Sequence, residues 1–249
     1  MKIDPEKYIR NNFPKKRIEL PEAYKKIYVE HYAVNRGGTS TASKLSQLME
    51  SWLHKKTAAD VAGTQGGATL EIGAGNLNHL DYENSTPYDI IEPFRELYKN
   101  SDKLGRVRNV FNDIGLVGNL TYKRILAIAV FEHLADLPDL VAQTCRLLDR
   151  GGSLRVAIPN EGTMLWKLGW VFTTGLEFRL HYGLDYSVLR AYEHVNTADD
   201  IEIVLRHFYA KVKCSVLGIN RSLAFYRFYE CSDPDIGKAD KYISSSTNS

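Results

Sequence analysis

The sequence has 249 residues, of which 44% are hydrophobic, 25% charged and 11% aromatic, and its formal net charge is +2. A chain of this length and composition can bury a sizeable core without disulfides or metal staples. It does not belong to the disordered, collagen-like or membrane-spanning classes. The nearly balanced charge gives no argument for nucleic acid as the main partner.

The cysteines and the N-terminal residues indicate in which cellular compartment the protein resides. Residues 1–10 carry charges where a secretory signal requires an apolar run, and the longest apolar stretch, residues 125–131, is too short to cross a bilayer. Cys145, Cys214 and Cys231 form no CxxC pair and no zinc-type Cys/His spacing. We therefore expect a cytoplasmic protein with free thiols, no metal and no membrane partner.

A leader and two helices are predicted before the first strand. Residues 1–20 are polar and basic, and we interpret them as a solvated leader rather than a nucleic-acid or membrane-surface arm, because no interleaved aromatics accompany the charges. Pro21 suits a first helical turn. Two helical stripes follow, the first with Tyr24, Ile27, Tyr28 and His31, the second with Leu45, Leu48, Met49, Trp52 and Leu53. Residues 1–67 are therefore predicted to form an N-terminal helical cap.

From residue 68 short apolar runs alternate with helical stretches, which indicates βαβ units and a parallel sheet. The predicted strands are 68–72, 88–92, 107–111, 124–130 and 154–158, with a helix over 137–148. Thr197 and Asp200 resemble a capping box before another helix. Residues 211–216 and 223–230 are close enough in sequence to form an antiparallel pair at the sheet edge. The core is thus predicted over 68–230.

Residues 159–196 do not follow this alternation and are rich in large aromatic side chains. They follow a strand whose carboxyl end faces the ligand side of such a sheet, where open α/β folds build substrate sites. We therefore predict that this insertion is a lid over a substrate, although each aromatic taken singly is equally well explained as core. Residues 231–249 are predicted to be a polar, frayed tail.

The most informative segment is the run from Glu71 to Gly75, in which an apolar strand and an acid lead into two glycines spaced by one residue. Glycine lets the backbone approach a ligand closely and take positive φ, and a short helix behind it presents unpaired N–H groups. Glu92 ends the second strand, where an acid can accept hydrogen bonds from ribose hydroxyls. Asp113 follows the third strand, where a carboxylate can accept from an exocyclic amine.

Five ordered motifs together resemble the class I S-adenosylmethionine (SAM)-dependent methyltransferases, in particular their small-molecule branch. They are the acid and G-x-G of Glu71-Ile72-Gly73-Ala74-Gly75, the ribose acid Glu92, the adenine turn Asn112-Asp113-Ile114, the post-strand turn Phe131-Glu132-His133-Leu134 and the turn Leu148-Asp149-Arg150-Gly151-Gly152. The resemblance covers about residues 68–230. It implies a Rossmann-like α/β fold with a mostly parallel seven-stranded sheet, an antiparallel edge pair and helices on both faces. One departure is Leu77, which stands where the family usually has a third glycine.

The resemblance implies a role for each motif residue, with SAM as the cofactor and a small molecule as the methyl acceptor. Gly73, Ala74 and Gly75 would pack against the methionine and ribose parts, and Glu71 would orient the methionine end. Glu92 would hold the ribose, with Pro93 against the adenine. Asn112, Asp113 and Ile114 would contact the adenine, the Val130 backbone the methionine amino group, and Arg36 the methionine carboxylate.

Each role has a simpler rival. Glu71 and Glu92 are also suited to cap the next helix, Asp113 to form an Asx turn, and Arg36 to form a surface ion pair of little energetic weight. Two other functions stay open as well. One is a Rossmann oxidoreductase that uses a nicotinamide, and the other is a cofactor-binding regulatory protein without turnover, which an acceptor site blocked by the insertion would favour.

An oxygen acceptor needs a base, and His133 is the first candidate because it follows the fourth strand and imidazole titrates near neutral pH. Its alternative is a helix-start histidine bonded to backbone. His181 and His194, in the insertion, are second choices. The remaining histidines, His31, His54, His79 and His207, are interpreted as structural or exposed. The acceptor, the methylated atom and the oligomeric state stay open.

Overall fold

A seven-stranded sheet organises the chain. The computed structural model describes residues 3–25, 27–28, 44–62, 66–163, 165–167, 171 and 175–246. Strand order is β3-β2-β1-β4-β5-β7-β6, with β7 antiparallel to both β5 and β6 and the other neighbouring pairs parallel. The predicted fold class, including the antiparallel edge pair, is confirmed.

The strands lie close to their predicted positions. They are β1 (Thr69–Ile72), β2 (Tyr88–Ile91), β3 (Asn109–Phe111), β4 (Tyr122–Ile128), β5 (Leu148–Pro159), β6 (Tyr209–Gly218) and β7 (Ala224–Pro234). The largest difference is β5, which begins six residues before the predicted start because its first residues pass through the turn at Gly151 and pair Leu148 with Tyr122. The backbone of Gly151 has φ +75° there, which suits glycine.

Helices flank the sheet on both sides. They are α1 (Pro5–Asn12), α2 (Lys44–Ala58), α3 (Arg95–Tyr98), α4 (Leu137–Leu147), α5 (Leu176–Tyr182), α6 (Tyr186–Glu193), α7 (Ala198–Phe208) and α8 (Ile236–Ser246). The predicted capping box is present at α7, where Thr197 and Asp200 each accept the other's backbone N–H. None of the described helices is long and apolar enough to cross a membrane.

The two faces of the sheet differ in chemistry. One face carries the main core, in which Ile125 and Ala127 of β4 pack with α4 and α7. On the other face α2 places Leu53 against Ala157 and Phe228. Buried charges also lie on this second side: Arg124 of β4 and Arg155 of β5 are hydrogen-bonded to the Thr57 carbonyl at the end of α2. The sheet therefore has an apolar face and a partly ionic one.

Two terminal predictions are wrong. The predicted leader is not solvated: Asp4 caps α1, and Ile9 and Phe13 are buried in the main core. The predicted polar tail is not frayed either, because residues 231–234 complete β7 and α8 packs on α4. Ala239 of α8 is fully buried. In both segments a few apolar residues recur at helical spacing and pack against helices that flank the sheet. The polar composition of these segments gives no sign of this packing.

Most of the insertion's described aromatics form a small core of their own. Phe178 and Leu189 are buried against Leu20 and Tyr24 of the N-terminal segment. Tyr28 and Tyr192 meet edge to face at 5.2 Å. These side chains attach the insertion to residues 20–28 and are core rather than ligand contacts. Trp170 and Phe172 lie outside the described residues.

Candidate functional site

The loop after β1 has the backbone that its glycines predict. Gly73 has φ +68° and Gly75 has φ +53°. A Cβ at Gly73 would lie 2.5 Å from a methyl of Val130, whereas a Cβ at Gly75 would meet nothing within 4 Å. Leu77 takes φ +66° although it is fully buried. The residue that replaces the family's third glycine therefore adopts the conformation that glycine takes at lower cost. A 3₁₀ turn, Asn78–Asp81, follows in place of the predicted helix.

Two acids stand at the ends of the first two strands. Glu71 is buried and accepts a hydrogen bond of 2.8 Å from the Tyr88 hydroxyl. Burial raises the pKa of Glu71 to about 7. Glu92 is also buried, and its carboxylate accepts the N–H of Gly75 at 2.9 Å and that of Phe94 at 3.0 Å. Glu92 thus ties the glycine loop to the end of β2.

The first of two neighbouring cavities, the Glu92 cavity, has a volume of about 460 Å³. Apolar side chains form most of its walls, and the predicted residues Gly73, Gly75, Glu92, Pro93, Asn112, Asp113, Ile114 and Val130 all line it. Asp113 is exposed, and its carboxylate accepts the Gly115 N–H at 2.8 Å, which is the Asx turn considered above. The turn occupies one carboxylate oxygen, so it does not by itself exclude a ligand contact at the other.

The second cavity, the Glu132 cavity, has a volume of about 480 Å³. Its lining combines the glycine loop with α2, the ends of β4 and β5, the insertion and β7: Glu50, Leu53, His54, Glu71, Gly73, Ala74, Gly75, Asn76, Asn78, His79, Ile128, Ala129, Glu132, His133, Pro159, Trp166, His194 and Tyr226. The two cavities share Gly73, Gly75, Ala129 and His133. They therefore meet at the glycine loop and the end of β4.

Ala129 marks this junction and was not predicted. It is a non-glycine residue with φ +53°, directly after β4. Its N–H is held at 2.8 Å by the Ala157 carbonyl of β5. A left-handed alanine costs roughly 1–2 kcal/mol and persists only where the surroundings impose it. The backbone changes direction at Ala129, which lines both cavities.

Glu132 is an acid that the sequence reading gave no role of its own. Its side chain is buried, and its Oε2 atom has no hydrogen-bond partner. Burial raises the pKa of Glu132 to about 7. Native proteins pair the large majority of buried polar atoms, so an unpaired carboxylate oxygen in a cavity wall calls for an explanation.

His133 lies at the boundary of both cavities, where the base was predicted. Its Nδ1 is 3.1 Å from the Glu193 carbonyl oxygen. A carbonyl only accepts, so Nδ1 carries a proton, and in the neutral ring Nε2 is then the acceptor. Nε2 is 3.9 Å from Glu132 Oε1. Arg17 donates to the His133 carbonyl at 2.6 Å, so the N-terminal segment also holds this turn in place.

His194, a second choice for the base, is paired in a different way. Its Nδ1 is 2.6 Å from Glu161 Oε1, and Arg190 binds the other oxygen of Glu161 at 2.5 Å. Burial is the largest influence on the pKa of His194 and lowers it, but the Glu161 hydrogen bond and the charges of Glu132, Glu161 and Glu193 together outweigh burial and raise the pKa. The His133 and His194 rings meet edge to face at 4.7 Å.

Two histidines that we interpreted as structural or exposed, His54 and His79, line the Glu132 cavity. The reason is tertiary: α2 lies across the sheet and brings His54 to within 3.1 Å of His79, which follows the glycine loop. No sequence signal separates His54 from its apolar neighbours on α2. His181 is exposed, and His31 lies outside the described residues.

The structure brings together all but one of the predicted site residues. Glu71 and Ala74 line the Glu132 cavity, and the remaining described ones line the Glu92 cavity or both. Arg36 lies outside the described residues. Within the described part of the chain, no group of three or more His, Cys, Asp or Glu side chains is placed to hold a metal ion. The cavities are also lined by His54, His79, Ala129 and Glu132, for which the sequence predicted no binding role.

Neither a protein-family model nor a curated protein sequence matches the chain. Solved structures do. An O-methyltransferase family protein from Burkholderia thailandensis matches with TM-score 0.55 and 16% identity over 92% of this chain and 70% of its own. The plantazolicin methyltransferase BpumL, in complex with a triazolic desmethylPZN analogue and S-adenosylhomocysteine (SAH), matches with TM-score 0.56 and 13% identity over 85% of this chain and 93% of its own.

A SAM-dependent methyltransferase from Thermotoga maritima matches with TM-score 0.51 and 13% identity over 85% of this chain and 99% of its own. Identities this low establish a common fold and nothing finer. Together with the strand order, they show that the chain has the class I SAM-dependent methyltransferase fold.

Proposed function

We propose that the protein is a SAM-dependent methyltransferase that transfers a methyl group to an oxygen or nitrogen atom of a small molecule. The observation that carries this proposal is the junction of two cavities at Gly73, Gly75 and Ala129. One cavity has the apolar walls and the buried acid that suit a nucleoside. The other has ionisable side chains and opens directly beside it, as a reaction between two bound molecules requires.

The Glu92 cavity fits the adenosine part of SAM. Each oxygen of Glu92 already accepts one backbone N–H, and each has a second lone pair for a ribose hydroxyl. The open space beside Gly75 leaves its backbone accessible to a ligand. Pro93, Ile114 and Val130 supply apolar surface for a ring. Asp113 keeps one oxygen for an exocyclic amine.

Bound SAM would supply a methyl group made electrophilic by its sulfonium, so the protein has to align the acceptor and exclude water. His133 is our candidate base. With Nδ1 donating to the Glu193 carbonyl, its Nε2 can take the proton of an acceptor hydroxyl. A nitrogen acceptor would react through its own lone pair and would need His133 less.

We place the acceptor between the glycine loop and the insertion. Trp166 of the insertion and Tyr226 of β7 line the Glu132 cavity and meet edge to face at 5.3 Å. Such rings offer stacking surface to a sugar or an aromatic acceptor. The Glu132 cavity keeps a volume of about 480 Å³ beside the described part of the insertion, which argues against a regulatory protein whose insertion blocks the acceptor. BpumL, bound to an analogue of desmethylplantazolicin, supports a secondary metabolite as one class to test.

Calorimetry with SAH and NAD⁺ tests the proposed cofactor. We expect SAH to bind and NAD⁺ not to bind, because one buried acid and a short glycine loop match a single nucleoside. Glu92→Gln should weaken SAH binding. The matched control is Glu96→Gln, an exposed acid four residues away that is paired with Lys99, and it should bind SAH like the wild type. Binding of NAD⁺ in place of SAH would overturn the proposal.

Turnover needs a second experiment. The protein is incubated with SAM that carries a labelled methyl group and with a panel of phenols, amines, sugars and azole peptides, and label in the organic products is measured. Trp166→Ala should lower transfer to any acceptor found while SAH binding is retained. Tight SAH binding without transfer to any member of the panel would favour the regulatory alternative.

A further inference from the structure

Three buried polar side chains form a hydrogen-bonded line that ends in the Glu132 cavity. Glu83 Oε2 lies 3.0 Å from His79 Nε2, and His79 Nδ1 lies 3.1 Å from His54 Nδ1. Each of the three residues is less than a tenth exposed. His54 and His79 line the cavity, whereas Glu83 is held behind it by Arg124. We call this line the Glu83–His79–His54 relay.

The positions of the protons in the relay follow from the charge of Glu83, the member farthest from the cavity. Arg124 donates to the two oxygens of Glu83 at 2.7 and 2.8 Å. Burial by itself would raise the pKa of Glu83, but hydrogen bonds from His79 and Arg124 outweigh it and lower the pKa to about 2. Glu83 is therefore a carboxylate that only accepts. The Nε2 atom of His79 must carry a proton.

One proton lies between the two Nδ1 atoms, and two arrangements are open to it. If His79 is neutral, His54 donates to it and the Nε2 of His54 has no proton. If His79 is an imidazolium beside Glu83, it donates to His54, whose Nε2 then carries N–H. Burial and the charge on His79 lower the pKa of His54 to about 4. His54 is thus neutral when His79 is charged, and in the other arrangement both rings are neutral.

The Nε2 atom of His54 faces the cavity. It lies 4.0 Å from Oε1 of Glu50, which lines the same cavity and whose side chain is 55% exposed. The His54 ring is fixed in this direction because it stacks on Tyr82, with centroids 5.0 Å apart and planes 9° from parallel. The relay therefore presents one nitrogen to the cavity, and that nitrogen donates only when His79 is charged.

The charges around the relay are mainly acidic. Glu50 and Asp81 lie on the side of His54, Glu71 and Glu83 on the side of His79, and Lys103 is the cation that acts on His54 at longer range. The described residues that line the Glu132 cavity include acids and histidines but no lysine or arginine. Among these described residues, the histidines are the side chains that can carry the positive charge that a carboxylate needs. Arg36, to which the resemblance assigns the methionine carboxylate, lies outside the described residues.

We propose that the relay binds the carboxylate of the cofactor's methionine end, with the Nε2–H of His54 as the donor and the positive charge on His79. This proposal rests on the proposed function, since it takes SAM as the cofactor. Asn76, Asn78 and His79 follow the glycine loop and line the Glu132 cavity, next to the site proposed for the ribose. Glu71 and Glu132 on the same cavity suit the ammonium of a zwitterion. Carboxylate binding selects the charged arrangement, so one proton is taken up wherever His79 was neutral before.

Calorimetry with two probes tests the relay. SAH has the amino-acid end, and 5′-methylthioadenosine lacks it. In His54→Phe, which keeps a ring against Tyr82 but has no N–H, we expect SAH to bind about 10- to 100-fold more weakly, as for a lost charge-assisted hydrogen bond. The affinity for 5′-methylthioadenosine should not change. Lys55→Gln, at an exposed residue of the same helix that does not line the cavity, is the matched control and should bind SAH as tightly as the wild type.

Proton uptake distinguishes carboxylate binding from a purely structural role of His54, because a structural role would not change the number of protons taken up with SAH. The binding enthalpy of SAH is measured in two buffers of different ionisation enthalpy at several pH values between 6 and 9. His54→Gln places an amide N–H near the position of Nε2, so it should recover part of the SAH affinity that is lost in His54→Phe. Any proton that Glu71 or Glu132 releases when the ammonium binds is released in both proteins. The wild type should therefore take up as much as one proton per SAH more than His54→Gln does, and the two should not differ with 5′-methylthioadenosine.

Three results would overturn the relay: wild-type SAH affinity in His54→Phe, an equal loss for both probes, or the same proton uptake in the wild type and His54→Gln at every pH tested. Each of these leaves the cofactor assignment intact, because the wild type still binds SAH. If the wild type binds neither probe, the proposed function fails and the relay with it. Circular dichroism of each variant checks that it is folded.

Discussion

The two cavities that meet at Ala129 are built in different ways. The Glu92 cavity consists mainly of loops that directly follow β1, β2, β3 and β4. The Glu132 cavity also draws on α2, the insertion and β7, which are separated by up to 176 residues from Glu50 to Tyr226. A site made of loops at one sheet edge is fixed by the fold itself, because parallel strands end at the same edge. A site assembled from distant segments depends on how those segments pack.

The acids of the two cavities show the same difference. Glu92 has both oxygens paired with backbone N–H groups, so its carboxylate is in place before any ligand binds. Glu132 has an unpaired buried oxygen and a raised pKa. Preorganised polar groups favour binding because little reorganisation is needed, whereas an unsatisfied buried acid costs stability in the absence of a partner. The acid of the Glu92 cavity is therefore preorganised for a ligand, whereas the acid of the Glu132 cavity has one oxygen without a hydrogen-bond partner.

The largest expected effect is on stability and concerns Arg124, which pairs with Glu83 behind the Glu132 cavity. Arg124→Met should lower the free energy of unfolding by about 3–5 kcal/mol, because it removes the guanidinium that pairs with the buried carboxylate of Glu83 and leaves His79, which is charged only when protonated, as the remaining ionisable partner. Urea unfolding measures the change. Lys123→Met, the exposed neighbour in β4, is the control and should stay within about 0.5 kcal/mol of the wild type. Equal stabilities of the two variants would contradict an ionic support.

His133 separates chemistry from cofactor binding. If it is the base for an oxygen acceptor, His133→Ala should lower kcat by about 10²–10⁴-fold with an acceptor found in the labelling screen. SAH affinity should change little, because Glu92 and the glycine loop are untouched. Single-turnover kinetics and calorimetry measure the two effects. A normal kcat would return His133 to the backbone-bonded structural role.

Glu71 and Glu132 should make stability depend on pH. Their pKa is 4.5 in the reference state and about 7 in the folded protein, since burial raises it. The folded state thus binds each proton more tightly, and the associated stability is present at pH 4.5 and lost as pH rises through 7. Relative to the wild type, Glu132→Gln should gain about 1–3 kcal/mol between pH 5 and pH 8. Parallel urea curves at both pH values would contradict a raised pKa.

The smallest expected effect compares two acids within the Glu92 cavity. Glu92→Ala should weaken SAH binding by about 10- to 100-fold, because a buried charged acceptor is removed. Asp113→Ala should cost less than about 10-fold, because Asp113 is exposed and one of its oxygens is held by Gly115. Calorimetry on the folded variants tests the order. Equal losses of SAH affinity would mean that Asp113, although exposed in this structure, is buried or paired when SAH is bound.

Much of the Glu92 cavity could be predicted from the sequence. Glu92 follows an apolar strand, Asp113 follows the next one, and Gly73 and Gly75 follow the first, so the order of motifs along the chain placed them at one edge. Positive φ at both glycines agrees with the reason for which they were singled out. Their contacts with a cofactor stay predictions. Local sequence was sufficient here because strand ends and turns are determined within a few residues.

The sequence by itself therefore determined the class of fold, the antiparallel edge pair and the loops of the Glu92 cavity. Tertiary structure decided that residues 3–20 and 231–246 are packed, since a few apolar side chains such as Ile9 and Ala239 outweigh a polar composition once a partner helix is present. It also decided that His54 of α2 meets His79 and that Glu132 is left with an unpaired oxygen. Hydrogen bonds between segments distant in sequence have no local signature, because they depend on how helices cross the sheet.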